Sequence, residues 1–374
     1  FWLVLIILNF YSLNFYKSFT ESLIFLRILL LPLIMFTWLL IDKKKIKIVL
    51  LIILIANLIV IVDCIYQFFN YFPLDGFKEG IIGRKPEIYG RLSGPFLDMV
   101  PGSYIAKFFI FGFLGLTFVI NDKFYLNILS IIYITLCGYI TFISGERMAL
   151  ATFILGIILS ILVLRKHRII FVISILCFIF SSYLTYKFHD NYKNFKILES
   201  NPNHLGLKIE KFDKNCVNGE ECSRIINLQP SFFKVISNFD KSAYYDAYSL
   251  AISMINKNPV SGIGMNNFYY GCKNIDEFKR DVCWSHPHNF YLQWLTENGL
   301  IGFIFFLIYI FYIFKLSIIK NRKFKIFDNY SIIPLAIIFW PIMSTGSLLK
   351  NWHGIETFFI IGLCLSLSHL RKLS

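Results

Sequence analysis

The sequence predicts an all-α polytopic membrane protein, and three observations carry that expectation. Hydrophobic residues make up 56% of the 374 and charged residues only 16%, whereas a soluble domain carries about 25% charge. Ten stretches approach the roughly 20 apolar residues that a helix needs to cross a bilayer. Basic residues gather in every second connection, as they do in membrane proteins. The mean hydropathy of +0.62 excludes a disordered chain. A formal charge of +14 would suggest nucleic acid in a soluble protein, so its location has to be read first.

The spans are predicted at 1–16, 22–41, 46–66, 103–120, 125–143, 148–164, 169–186, 288–314, 331–349 and 355–370. The first has no basic leader and no small-residue cleavage site, so it reads as a span and not as a signal peptide. The organisation follows: a transmembrane bundle over 1–186 that includes an outer loop at 67–102, a large loop at 187–287, and C-terminal transmembrane helices over 288–374. No internal repeat of 20–50 residues is visible.

The connections at 42–47, 121–124, 165–168 and 315–325 and the tail at 371–372 hold fifteen Lys and Arg against two acids, Asp42 and Asp122. The stretch 187–287 is nearly neutral, with 13 Lys and Arg against 11 Asp and Glu. The positive-inside rule therefore puts the first set in the cytoplasm, and all ten spans alternate without conflict. The charge is used for orientation, and no nucleic-acid partner is expected. The outer segment 187–287 is predicted to be partly helical, since 242–255 (SAYYDAYSLAISMI) has apolar residues at helical spacing. Asn258-Pro259 and 261–264 (SGIG) then break it. Four cysteines lie there in two close pairs, Cys216 with Cys222 and Cys272 with Cys283. Two local disulfides suit an oxidising compartment, although connectivity is not deducible from sequence. Cys137, Cys177 and Cys364 read as packing residues.

Polar groups at span ends are functional candidates, and three places qualify, all on the outer side. Arg91 lies in the turning segment 90–103 (GRLSGPFLDMVPGS). Its planar, permanently charged fork suits phosphate; the plain alternative is an arginine snorkelling to the interface. Ser144-Gly145-Glu146-Arg147 is a tight hairpin in which Arg147 opens a helix, so side chain and helix N-terminus together suit an anion. A Glu146–Arg147 ion pair is the alternative. The densest cluster is 283–302 (CWSHPHNFYLQWLTENGLIG). A helix starting near His288 would carry a polar stripe of Asn289, Gln293 and Glu297 at i+4 spacing. His288 has the ordinary pKa for a general base. Cys283, His286 and His288 are zinc ligands by type, but no fourth ligand has a recognisable spacing, so no metal is assigned.

These residues carry a resemblance. His288-Asn289, nine residues, Gly299, two residues and Gly302 resemble the H-N-x9-G-x-x-G signature of bacterial O-antigen ligases. Arg91 with ten residues before Gly102 is similar to the R-x10-G element of O-antigen polymerases and ligase-like relatives. The stretch 255–268 (INKNPVSGIGMNNF) is similar to the segment that precedes the family's His. The hairpin 144–150 (SGERMAL) resembles the family's hairpin, with Glu146 where a small or polar residue is usual. The resemblance covers roughly 84–310. It implies a membrane glycosyltransferase of the GT-C type in the bacterial inner membrane, its active site facing the periplasm. Such an enzyme moves a glycan from undecaprenyl diphosphate to an acceptor hydroxyl, on lipid A–core in the ligases and on another lipid-linked repeat unit in the polymerases. The family uses neither a metal nor a nucleotide sugar, so no cofactor is expected; the partners are the lipid-linked donor, the glycan acceptor and membrane lipids. It typically has twelve spans, which raises the expectation of two further N-terminal spans here.

On this resemblance His288 is the expected catalytic base, Arg91 and Arg147 bind the diphosphate, and His286, Asn289, Gln293, Glu297 and Arg224 support them, with His353 a further addition. The expectation is that Arg91, Arg147 and His288 converge on one outer cavity. The rival inside the family is a polymerase, whose pattern adds R-x15-G. Sixteen residues on from Arg224 stands Asp240, and from Arg280 Thr296, so this departs from the polymerase pattern. A transporter or flippase would need broken helices with midplane charge, often in two related halves; Arg27 is the only charge deep in the second span.

Overall fold

The computed structural model describes residues 1–40, 42–72, 75–88, 90–192, 207–213, 222–228, 235, 237–241, 243–280, 283–318, 330–342 and 346–373. In chain order the helices are α1 (Trp2–Leu8), α2 (Phe15–Leu40), α3 (Lys43–Phe69), α4 (Pro101–Val119), α5 (Lys123–Ile143), α6 (Arg147–Val163), α7 (Arg168–Phe188), α8 (Ala243–Lys257), α9 (Phe268–Asn274), α10 (Phe290–Ile318), α11 (Ile332–Ile338) and α12 (Asn351–Leu373). Two antiparallel hairpins interrupt them, β1 (Tyr71–Phe72) with β2 (Gly76–Phe77) and β3 (Leu207–Asp213) with β4 (Cys222–Leu228).

Six helices among the described residues are long and apolar enough to cross a membrane: Phe15–Leu40, Lys44–Phe69, Pro101–Val119, Lys123–Ile143, Arg165–Phe188 and Phe290–Ile318. The 17 residues of α6 are a shorter apolar helix, and α12 runs for 23 residues. The all-α polytopic fold is thus as expected, while the count of ten spans is only approximate. Two expected spans are not continuous helices. In 1–16 the helix ends at Leu8 and a short turn follows; Asn14 then caps α2, its side-chain oxygen accepting the Lys17 N–H at 3.1 Å. In 331–349 the helix stops at Ile338, three residues before Pro341, as proline dictates for the chain ahead of it. The large loop holds α8 where a helix was predicted, together with α9 and the β3–β4 hairpin, which periodicity did not signal.

The chain divides into two compact units, Phe1–Ile46 with Phe239–Ser374, and Lys47–Asn238. In the first unit α2 and α12 meet so closely that a methyl group at Gly362 would lie 2.7 Å from Met35 Cβ and 3.0 Å from Pro32 Cα. Small residues allow such close approach where lipid supplies no hydrophobic drive between helices. Leu250, Ala251, Met254, Ile263, Phe268, Cys272 and Phe278 form the buried cluster under α8 and α9. Cys272 and Cys283 are joined by a disulfide; the pair Cys216 and Cys222 falls outside the described side chains. In the second unit α4 to α7 pack with the buried rings of Phe109, Phe111, Phe113, Phe153 and Phe171 between them.

One feature of the first unit explains two of the sequence motifs. Helix α10 is broken at Gly299, whose φ of 59° and ψ of −170° lie in a region essentially reserved for glycine. The segment 259–264 fills the break. Leu300 N–H donates to the Pro259 carbonyl at 2.8 Å and Ile301 N–H to Val260 at 3.2 Å. In return Ile263 N–H donates to Thr296 at 3.0 Å and Gly264 N–H to Glu297 at 2.8 Å. Backbone groups freed in a membrane helix must find partners within the protein, and here all four belong to the NPVSGIG stretch. Gly262, at φ 74°, lies against Glu297 and Gly299 where a Cβ would collide with backbone.

Candidate functional site

In the first unit His288 lies between the disulfide at Cys283 and the start of α10. The helix begins at Phe290, so the expected start near His288 is corrected by two residues and His288 stands outside it. Asn289 is the reason: its side-chain oxygen accepts the Leu292 N–H at 3.0 Å and caps the helix. His288, just ahead of the cap, stands at φ 54°, a conformation that His tolerates better than most side chains but still a sparsely populated one. Its ring meets Trp284 at 5.1 Å, His286 at 4.5 Å and Tyr244 at 5.7 Å between centroids. Partial burial and, secondarily, the cation of Lys350 hold its pKa below that of a free imidazole. The neutral ring is therefore favoured, the form a base requires.

The supporting residues take definite places. His286 is buried, with Nδ1 2.9 Å from the Ser285 hydroxyl. The Asn289 side-chain amide donates to the Pro341 carbonyl at 2.9 Å, and the Tyr291 hydroxyl donates to Phe339 at 2.7 Å. The unwound stretch after α11 thus packs beside the His segment. Gln293 and Glu297 do form the polar stripe, but it is buried inside the unit: Gln293 Nε2 donates to Glu297 Oε2 at 3.2 Å, and the same oxygen accepts the Asn266 N–H at 3.0 Å. They fasten the 264–268 turn to α10. Cys283 is committed to the disulfide, which removes it from the ligand set weighed for zinc. His353 is buried with Nδ1 3.7 Å from Glu356.

The second unit holds the arginines. The Arg91 segment is fastened at both ends. Leu92 N–H donates to the Ser144 carbonyl at 3.2 Å. Gln67, on α3, accepts from Ser93 N–H at 2.9 Å and Gly94 N–H at 3.0 Å and donates to the Arg84 carbonyl at 3.2 Å. Asp63, one turn earlier, accepts the Ile82 N–H at 2.8 Å. Arg147 is the first residue of α6, as predicted, and partly exposed. Its neighbour Glu146 turns to α4, where it accepts from Gly102 N–H at 2.6 Å, from Ser103 N–H at 3.2 Å and from the Ser103 hydroxyl. Burial raises the Glu146 pKa; the Ser103 hydroxyl, the Gly102 N–H and the nearby Arg91 oppose the rise. Arg224 lies in β4 opposite Lys211, and its side chain is outside the described set. Arg91, Arg147 and Arg224 belong to one unit and His288 to the other.

Sequence reasoning missed Asp63, Gln67, Lys350 and the role of Glu146. Asp63 and Gln67 had a signal, since two polar residues at i, i+4 near the end of a span face protein. Lys350 had none, because only folding brings it to His288.

Fold and clusters define a class: a polytopic helical membrane protein with strained and buried polar groups gathered at helix ends, where membrane proteins place function. Residues 132–307, just under half of the chain, match the family described as O-antigen ligase, a finding that supports the likeness to the O-antigen ligase superfamily. The match takes in Arg147, Arg224, the NPVSGIG stretch and His288 through Gly302; Arg91 lies ahead of it. No curated protein and no solved structure is significantly similar to the chain.

Proposed function

We propose that the protein is a glycan ligase of the bacterial inner membrane, working on the periplasmic face. It moves a glycan from undecaprenyl diphosphate to an acceptor hydroxyl, with lipid A–core as the acceptor. The observation that carries this reading is His288, held off the helix by the Asn289 cap inside the matched region, its pKa lowered by burial. The imidazole takes the acceptor proton as the acceptor oxygen attacks C1 of the donor sugar. The bond from C1 to the diphosphate oxygen breaks with its electron pair on the leaving group, so a single displacement inverts the anomeric carbon. Diphosphate is already an activated leaving group, and positioning with charge stabilisation suffices. Arg91 and Arg147 are assigned that role, and no metal is required in this reading.

The test is the lipopolysaccharide of a deletion strain complemented with wild type, His288→Ala or Arg147→Ala. Lipid-linked polymer accumulating over bare core, restored by wild type and by neither variant at equal protein level, is the expected result. A single repeat unit on core would instead make the protein a polymerase. Full restoration by His288→Ala would remove the role given to that residue.

A further inference from the structure

Helix α4 has its N-terminus closed by a side chain from the hairpin that joins α5 to α6. Pro101, its first residue, has no N–H to offer, and Val100 provides no capping side chain. The donors that follow, Gly102 N–H, Ser103 N–H and the Ser103 hydroxyl, all go to Glu146. A helix N-terminus favours an anion, and here the chain supplies its own carboxylate, only 8% exposed. The same hairpin touches Arg91. Gly145 stands at φ 74°, and a Cβ there would lie 3.2 Å from Arg91 Cγ and 3.4 Å from Arg91 Cα. The arginine stem therefore crosses the glycine next to Glu146. Arg91 Nε is buried and makes no hydrogen bond, and the arginine's charge acts on Glu146.

We propose that Glu146 is a positioning residue for Arg91: its carboxylate ties the 144–147 hairpin to the head of α4 and its charge aligns the guanidinium for the diphosphate. This rests on the reading of Arg91 as a diphosphate ligand. A mobile carboxylate that merely holds the seat until an anion displaces it would have to leave three donors on α4. Buried donors without partners are costly, so Glu146 stays in place when the ligand arrives. The glutamate also accounts for the departure from the family hairpin.

The test is binding of undecaprenyl diphosphate to the full chain in detergent micelles, for wild type, Arg91→Ala, Glu146→Gln and the double variant. Glu146→Gln keeps an acceptor for α4 and removes the charge. It should weaken binding about tenfold, within the range for coupled neighbours, and should add nothing in the Arg91→Ala background. Equal losses in both backgrounds, unchanged binding, or tighter binding in Glu146→Gln would overturn the positioning role. Arg91→Ala binding as wild type does would instead overturn the diphosphate reading of Arg91. Should Glu146→Gln fail to fold, Ser103→Ala loosens the carboxylate while keeping its charge. It should weaken binding in wild type and not in Arg91→Ala; equal effects overturn the proposal.

Discussion

His288 combines a strained backbone with a ring that avoids protonation. A left-handed backbone at a residue with a side chain costs on the order of 1–3 kcal/mol; His288 holds it between the Asn289 cap on one side and the disulfide at Cys283 on the other. Lys350 adds to burial in lowering the imidazole pKa. The sign is clear: a nearby cation disfavours imidazolium, so its removal raises the pKa. Lys350→Ala should therefore move the acidic limb of the pH–activity profile to higher pH, with activity at the alkaline plateau retained if the lysine only tunes the base. A limb that does not move, measured as transfer rate against pH in membranes, would show that Lys350 has no influence on the group that titrates. His288 stood out as the candidate base by its residue type and its signature. Its place outside the helix was not legible, since Asn289 reads equally well as a second polar helix residue until the cap hydrogen bond is seen.

At the scale of the element, α10 and the NPVSGIG stretch are one construction. Gly299 opens the helix, and 259–264 satisfies the four backbone groups set free. Gly299→Ala would force a Cβ into the Val260 carbonyl and demand a conformation that alanine avoids. The expected cost is at least about 1–3 kcal/mol of stability, read as a lowered melting temperature in detergent. A variant that melts with wild type would mean that the break is not needed for packing. The motif spacing was readable in the chain, and so was the alternation of apolar residues in 242–255 that became α8. The reason for the spacing was not readable, because it consists of hydrogen bonds between segments some 40 residues apart. Short elements also escaped. In β3 (LKIEKFD) and β4 (CSRIINL) polar and apolar residues alternate only in part, and the expected spans at 1–16 and 331–349 are apolar enough but carry breakers, Asn14 and Pro341 among them.

On the scale of the whole molecule, the distribution of basic residues predicts orientation. Reporter fusions check it: a fusion after Asp122 should fluoresce as a cytoplasmic protein, and fusions after Gly145 and Asn258 should show periplasmic phosphatase activity. The opposite pattern would invert the topology and remove the periplasmic site assignment with it.

Hydrophobic content and the presence of long apolar helices followed from the chain alone, because they depend on lengths and local composition. So did the residue types to which the chemistry is assigned and the family likeness they form. Only the tertiary structure decided which partner the buried polar groups take: Glu146 to the head of α4, and Gln293 and Glu297 inward as a fastening. Those choices are made by burial, which requires every unpaired donor or acceptor to find its complement wherever the fold happens to place one.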